Sequence, residues 1–581
     1  MKYILFVILT FLLFSCTEEN IYNVQEYAPT VVVISDNQES SDIIIQVMGS
    51  IRSVHPNANI SFVHSKAFDL FEASYHLKVS SDSYPDSTYF ITIVEPGAGS
   101  MRMVCRGKDG RKYLMPDNGV CSRLVKHDEL YDYYYVTDPD VLEGGDYQSL
   151  PIEDFYSLAT RSLLADIPLQ EFGDKFDDPE TLEINDPEQK DDIVKGQVLF
   201  VNNFGNCHTN IPGHMMTNFD VGDILKFKAG DKTFFAKYGT KYSSVGLNQN
   251  VAFVDASFRL KLAVNYGDMG ERYGISAGTN ITISREKVRV GVLYYNKSSV
   301  SEYIANTMKQ ELNKMGFEND QNIMYMERDA EGDASRLASF ADDLVNEDSV
   351  DIIVPISTPA SQAAVNVVPE DIPIIFTYVT DPKSAGILDV RENVSGLSDA
   401  TNFKDYLSFV KRLMPDLSLA GRIYNPSESN SAFAQEKLLS LINLYDLNFF
   451  SVTISSPDEI EQAYASVTNR SIGAILIAAD NTMSQAMSDL TALTNENGIP
   501  VIGDSYQHCG DGALASISVN YDSLSISTGD LVGSVILGID PDDEDVRYFS
   551  TDVIAVNTKT AGDIGFDIPQ DIIDEAQYVY P

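Results

Sequence analysis

The sequence predicts an α/β multidomain chain: an α/β domain, a small all-β domain, then two tandem lobes built on doubly wound parallel sheets. Three observations carry this. Alternating strand and helix patterns run from Thr30 and again from Val288, which calls for mostly parallel sheets. Between them, residues 194–285 hold alternating strands with glycine turns (DILKFKAG, KTFFAKYG, RLKLAVN). The acidic, proline-bearing stretch DKFDDPETLEINDPEQKDD (174–192) has the composition of a linker. A chain of 581 residues also exceeds what one core serves.

The elements follow in order. Lys2 precedes an apolar run, Tyr3 to Phe14, too short for a membrane span and built like a secretory leader. It ends in Leu13-Phe14-Ser15-Cys16, which resembles the lipobox of bacterial lipoproteins. The resemblance implies a signal peptide over 1–15, lipidation of Cys16 and a polar tether over 16–29. Thr17-Glu18-Glu19-Asn20 resembles the surface-export signals of Bacteroidetes-type lipoproteins, which implies a membrane-anchored place at the outer membrane or cell surface. The first α/β domain spans 30–180: VVVIS (31–35), a helical pattern over Asp42–Val54, ISFVH (60–64), a helix over 70–80 and YFITIV (89–94). The β domain spans 190–285. From Val288, VRVGVLYY, NIMYMER, DIIVPIS and IPIIFTYV alternate with helices over Val300–Met315, Ala334–Asn346 and after Thr358. A second run follows Asn402: a helix over Asp405–Met414, AGRIYN, a helix over Ala432–Tyr445, FFSVTIS, a helix over 458–468, GAILIAAD, a helix over 482–497, and IPVIGD. These give one lobe over 286–400, completed by 518–581, and a second over 401–517. Two such lobes enclose a cleft, with ligand contacts at the carboxyl ends of their strands.

Lys+Arg of 41 against Asp+Glu of 85 gives a net charge of −44, which repels nucleic acid and anionic lipid surfaces. The cysteines and histidines have no metal spacing, so no metal is expected. Cys105 and Cys121 are near enough in sequence to pair or to stand as buried thiols. Gly-x-Ser-x-Gly, P-loop and His-Glu-x-x-His motifs are all absent.

Segments of 30–285 resemble the S-adenosyl-L-methionine (SAM) hydroxide adenosyltransferase family, which includes the SAM-dependent halogenases. The carriers, in order, are Ile34-Ser35-Asp36-Asn37, Glu95-Pro96-Gly97-Ala98-Gly99-Ser100 with Arg102, Pro116-Asp117-Asn118-Gly119, Phe204-Gly205-Asn206 with Thr209-Asn210-Ile211, and Ser257 with Leu260 to Gly267. The resemblance implies SAM or an adenosine-like ligand held by Asp36, Asn118, Phe204, Asn206 and Ser257. It also implies catalytic positions at Glu95, Arg102 and Tyr156. There the pattern departs. The family's Asp is Glu95, and its Phe-His-Gly-Arg-Asp segment is Phe155-Tyr156-Ser157-Leu158-Ala159. A tyrosine with a pKa of about 10 is a poor base at neutral pH. The domain is therefore expected to be an inactive relative; the competing reading is an active SAM or nucleoside hydrolase.

From 288 onward the chain resembles ABC-transporter substrate-binding proteins of the family that includes tryptophan and tyrosine binders. The blocks are Ile356 to Gln362, Phe376 to Pro382, Asn393 to Asp399, Tyr424 to Ser431, Ala479 to Thr482 and Gly512 to Ala515, with Asp504 to Cys509 matching less well. The implied fold is a type I periplasmic-binding-protein fold, and the implied partner an ABC permease. The residues themselves agree. Ser357 and Thr358 end a strand, and Pro359 suits a first helical turn, which makes a carboxylate site. Asn425, Ser427, Asn430 and Ser431, then Asp480 and Asn481, stand at matching places in the second lobe and suit an ammonium group; Asp504 joins them. Phe376 and Tyr378 would flank an apolar side chain. The same residues would serve as plain helix N-caps. The expected function is a lipid-anchored solute-binding protein taking an amino acid or similar small molecule. Its hinges are expected near Ser398–Thr401 and Ser516–Tyr521. The alternatives are the enzyme above and a surface scaffold.

Overall fold

A computed structural model describes residues 28–95, 100–388, 390–549 and 551–581. The leader, Cys16, most of the tether and Pro96 to Gly99 lie outside the described residues. The chain divides into two compact units. The first runs to Asp186 and adds Gln197–Val201 and Ser276–Thr279; the second holds Pro187–Gly196, Asn202–Ile275 and Asn280–Pro581.

The first unit is built on a seven-stranded sheet: β1 (Thr30–Ser35), β2 (Asn59–His64), β3 (Tyr89–Ile93), β4 (Arg102–Gly107), β5 (Lys112–Pro116), β6 (Leu130–Tyr135) and β7 (Lys175–Phe176), in the order β2-β1-β3-β5-β4-β6-β7. The run VVVIS is apolar throughout because both faces of β1 are covered. Val31 and Val33 pack with helices α1 (Asp42–Val54) and α2 (Ile152–Leu164), while Val32 and Ile34 pack on the other face. The parallel expectation holds for β1, β2, β3 and β5 and fails beyond them. There β4 pairs antiparallel with β5 and β6. The short hairpin Gly107 to Arg111, with Gly110 at φ +88, reverses the chain. Cys105 and Cys121 are separate buried thiols.

Next along the chain, β8 (Glu188–Lys190), β9 (Ile193–Val201, counted with the first unit from Gln197 on), β10 (Cys207–Pro212), β11 (Ile224–Ala229), β12 (Lys232–Tyr238), β13 (Asn250–Val254), β14 (Arg259–Val264) and β15 (Asn280–Ser284) form one sheet in the order β10-β14-β13-β12-β11-β15-β9-β8. Lobe 1 follows: β16 (Val288–Tyr294), β17 (Ile323–Asp329), β18 (Ile352–Ile356), β19 (Ile374–Val379) and β20 (Val394–Ser398), an all-parallel sheet in the order β17-β16-β18-β19-β20. Lobe 2 carries β21 (Leu419–Tyr424), β22 (Asn448–Thr453), β23 (Ala474–Leu476), β24 (Val501–Gly503) and β25 (Ala515–Val519).

Two boundaries differ from the sequence reading. Helix α3 (Tyr521–Ile536) and β26 (Arg547–Tyr548) complete lobe 1, but β27 (Thr551–Asn557) and β28 (Tyr578–Tyr580) extend the lobe 2 sheet, β27 antiparallel to β25. The chain therefore crosses between lobes three times: after β20, after β25 and after β26. The β domain is also not a separate body. Ile224 and Phe235 sit in the same apolar core as Val288, Val290 and Leu531 of lobe 1. Asn250 N–H donates to Leu537 O (2.7 Å) and Gln249 Nε2 to Ser534 Oγ (3.0 Å). Gly538 is required at this seam: its φ is +97, and a Cβ there would meet the Asn250 side chain at 2.3 Å.

Candidate functional site

The first unit brings Glu95, Arg102 and Tyr156 together. Arg102 donates to Glu95 through both Nε (2.9 Å) and NH2 (2.7 Å), and Tyr156 OH donates to Glu95 Oε1 (2.7 Å). Burial, reinforced by the Glu95 carboxylate, holds the Tyr156 phenol well above 10. Burial pulls the Arg102 guanidinium down, but the bonds to Glu95 more than offset this and raise it. The trio is thus a satisfied ion pair with a phenol donor, and its tyrosine cannot accept a proton at neutral pH. Asp36 accepts from Phe68 N–H (3.0 Å), and Asn118 donates to Val94 O (2.9 Å). Phe204, Asn206 and Ser257 belong to the second unit. Phe204 is 78% exposed, Asn206 is buried, and Ser257 donates to Asp255 beside it.

In the second unit the strand ends of both lobes converge on a closed, buried polar cluster. Asn296 of lobe 1 donates to Asn481 O (2.8 Å) and Gln485 Oε1 (3.1 Å), and Ser299 to Asp511 (2.6 Å). Three residues around the cluster have φ values unusual for residues with a side chain: Ser357 at 108°, Tyr378 at 59° and Ala479 at 46°. Such strain collects where a ligand is clamped. Ser357 precedes the helix Thr358–Val367, with Pro359 in its first turn, and both Ser357 Oγ and Thr358 Oγ1 are buried without a partner.

Lobe 2 supplies acids. Asp480 caps its helix through Met483 N–H (2.8 Å) and also accepts from Asn425 N–H (2.7 Å) and Ser431 Oγ (2.5 Å). Glu428 accepts from Asn481 N–H and Nδ2 and from Thr482 N–H and Oγ1, so both its oxygens are saturated. Asn430 spans to Ala479 O (2.8 Å), leaving its own Oδ1 unpartnered. Asp504 accepts from Ala479 N–H through one oxygen. Asp399, at the first crossing, accepts from Tyr521 OH (3.3 Å) through Oδ2, and its Oδ1 is buried with no partner. Burial raises all four acids: Asp399 and Glu428 to about 7, Asp504 to about 6, and Asp480 above its usual value.

The buried cation among them is Arg422, which donates to Ala478 O (3.1 Å) but has Nε and NH1 unpartnered. His508 is neutral, its pKa pushed down to about 3 by burial. Four acids against one arginine leave room for a further positive charge. Arg422→Met would strip Asp480 and Asp504 of their compensation and is expected to lower stability by about 3–5 kcal/mol, read by guanidinium denaturation of the full chain.

Two expected contacts fall elsewhere. Phe376 is fully buried in the lobe 1 core with Leu293, Ile353 and Ile387, so its ring is no cleft wall; Tyr378, edge-on to Tyr521 at 5.8 Å, stands there instead. Ser427 is exposed, and only its backbone N–H is used, donating to Asn425 Oδ1 (3.0 Å). The sequence reading missed Asp399, Glu428 and Arg422, which only burial singles out.

Comparisons with known proteins break the chain near residue 285, within the second unit, rather than between the two units. Residues 290–580 match the family described as ABC transporter substrate binding protein. Residues 31–173 and 196–282 match the N-terminal and C-terminal domains of SAM hydroxide adenosyltransferase. A tyrosine-binding protein of Clostridioides difficile is 33% identical over 253 residues, 43% of this chain and 72% of that protein. A fluorinase of Nocardia brasiliensis is 23% identical over 289 residues, 44% of this chain and 96% of that protein. A solved structure of an ABC domain in complex with L-Trp from Streptococcus pneumonia is 26% identical with a TM-score of 0.47, covering 51% of this chain and all of that one.

Proposed function

The chain belongs to the ABC transporter substrate binding protein family, and from that premise we propose that its interlobe cleft captures a free amino acid for an ABC permease. The observation that carries this is the set of unspent groups in the closed cleft. Ser357 Oγ and Thr358 Oγ1 at a helix N-terminus suit a carboxylate. Asp399 Oδ1, beside Asp504 in a site with surplus negative charge, suits an ammonium. Tyr378 flanks the side chain. The tyrosine-binding relative makes tyrosine the first candidate. The adenosyltransferase-like domain is a catalytically silent partner in this reading, since Tyr156 replaces a base with a donor. Cys16 carries the lipid that holds the protein outside the cytoplasmic membrane.

Isothermal titration calorimetry of the full chain against the L-amino acids, then nucleosides, tests the reading. Micromolar or tighter binding of one amino acid is expected; a folded protein that gives no heat with any of them sinks it.

The acids predict a pH dependence with two opposite signs. Asp399, Glu428 and Asp504 have folded-state values raised above their unfolded ones. Their contribution to stability is present at low pH and is lost as pH rises through about 6 to 7. The empty cleft therefore gains from acidification. An ammonium ligand needs Asp399 and Asp504 ionised, so affinity falls over the same window. Calorimetry at about pH 8 and about pH 5.5 is expected to show weaker binding at the lower value. Affinity rising with acid would point to a ligand without a positive charge.

A further inference from the structure

His508 stands in lobe 2 behind the cleft acids, fully buried on the short helix Tyr506–Gly510 just past β24. Gly503, at the end of β24, makes room for its ring: a Cβ there would meet His508 Nδ1 at 2.7 Å and its Cβ at 2.9 Å. Burial keeps the imidazole neutral, so one ring nitrogen carries a proton and the other is a bare acceptor. An apolar residue would fill this place at less cost, because a buried nitrogen needs a partner.

Both nitrogens face polar groups. Nε2 is 3.1 Å from Ser484 Oγ. Nδ1 faces Asp504 Oδ1 at 3.6 Å, just beyond hydrogen-bond length. Ser484 is buried on the helix Asn481–Gln485, and its Oγ also reaches Asp480 O (3.0 Å). It lies beside the Tyr378 hydroxyl of lobe 1. A chain of groups thus runs from Asp504 through His508 and Ser484 to the opposite lobe.

The chain closes in two ways. With Asp504 ionised, Nδ1–H points at the carboxylate and Nε2 accepts from Ser484 O–H. With Asp504 protonated, its O–H points at Nδ1, Nε2–H donates to Ser484 Oγ, and Ser484 O–H donates to Asp480 O. The ring holds one proton in each form, so the proton taken up is the one on Asp504. Arg422, Asp480, Asp399 and the phenols of Tyr378, Tyr406 and Tyr521 face Asp504 from the surrounding elements. Burial outweighs Arg422 and brings Asp504 to about 6, where both forms are reached.

We propose that His508 is a positioning residue for the amino-acid site, changing tautomer with the charge of Asp504 and turning the Ser484 hydroxyl with it; this role rests on the site proposed above. In the ionised form both Ser484 Oγ lone pairs are free for the Tyr378 O–H; in the protonated form Nε2–H takes one. The charge that holds an ammonium is linked in this way to a contact between the lobes.

The test is long-range 1H–15N NMR of the full chain labelled at its seven histidines, without ligand, from about pH 8 to about pH 5. His508 is assigned by its loss in His508→Gln and its shift in Ser484→Ala. A neutral ring is expected throughout, Nδ1–H at the alkaline end and Nε2–H at the acid end, with the midpoint at about 6. In Asp504→Asn the change is expected to vanish. One tautomer at every pH, or a change that survives Asp504→Asn, would overturn the inference. Calorimetry gives a second readout. Ser484→Ala leaves Nε2–H without its acceptor, which favours Nδ1–H and the ionised acid. The loss of amino-acid affinity between about pH 8 and about pH 5.5 is expected to shrink about threefold. An equal fall at both pH values would mark Ser484 as merely structural and overturn the inference. The NMR needs no ligand: a tautomer change in a chain that binds no amino acid keeps the relay and sinks the capture reading, and binding without the change does the reverse.

Discussion

Asp399→Asn is expected to weaken amino-acid binding by about 10- to 150-fold, the range of one lost charge-assisted hydrogen bond worth about 1.5–3 kcal/mol. The substitution keeps the shape of the side chain and an oxygen for the Tyr521 hydroxyl, so the fold should survive. Asp504→Asn, which likewise retains an acceptor for Ala479 N–H, is expected to act in the same direction. Ser427→Ala is the internal control, because its hydroxyl is exposed. Calorimetry on the three variants separates a site built on Asp399 and Asp504 from one built on the Asn425-to-Ser431 loop. An unchanged affinity in Asp399→Asn would move the ammonium site away from the first crossing.

Glu95→Ala is the second large effect, and it falls on stability rather than turnover. Glu95 is the shared acceptor of Arg102 and Tyr156. Removing it leaves a partly buried guanidinium and a buried phenol without their partner, at a cost of about 3–5 kcal/mol. The guanidinium midpoint of the full chain is expected to drop, while amino-acid binding in the other unit stays the same. Incubated with SAM, the unaltered chain is expected to release no adenosine by chromatography. Adenosine release that disappears in Arg102→Ala would establish the enzyme reading.

Much of the second unit was legible because strand, turn and helix signals recur there with clean spacing. The helix Ala334–Asn346 stands where its periodicity placed it, and Ser357 and Thr358 lie just past the strand end at Ile356, as the cap and first residue of the next helix. What the sequence hid has physical causes. Phe376 and Tyr378 lie two apart and would share a face in a regular strand. The register shift between Phe376 and Val379, with Tyr378 at positive φ, sends them to different places. Asp399, Glu428 and Arg422 are charges in a chain carrying a net −44, where an acid is ordinarily a solvated one; only long-range packing marks these as buried. In the first unit, Glu95, Arg102 and Tyr156 were readable as candidate positions, but the closed bond network that joins them was not.

The core shared by Ile224, Phe235 and lobe 1 bears on how such a protein can evolve. Joined end to end, two ancestral genes would yield modules free to be lost, duplicated or traded separately. Here the boundary at residues 285–286 is only a boundary of descent. A deletion there would uncover apolar side chains on both remnants and remove the Asn250 and Arg272 bonds that dock Leu537 and Gly538. Selection on the binding lobes therefore retains the β domain as well, whatever becomes of the chemistry its relatives perform. A segment that resembles an adenosyltransferase domain is thereby tied to the binding lobes through a shared core.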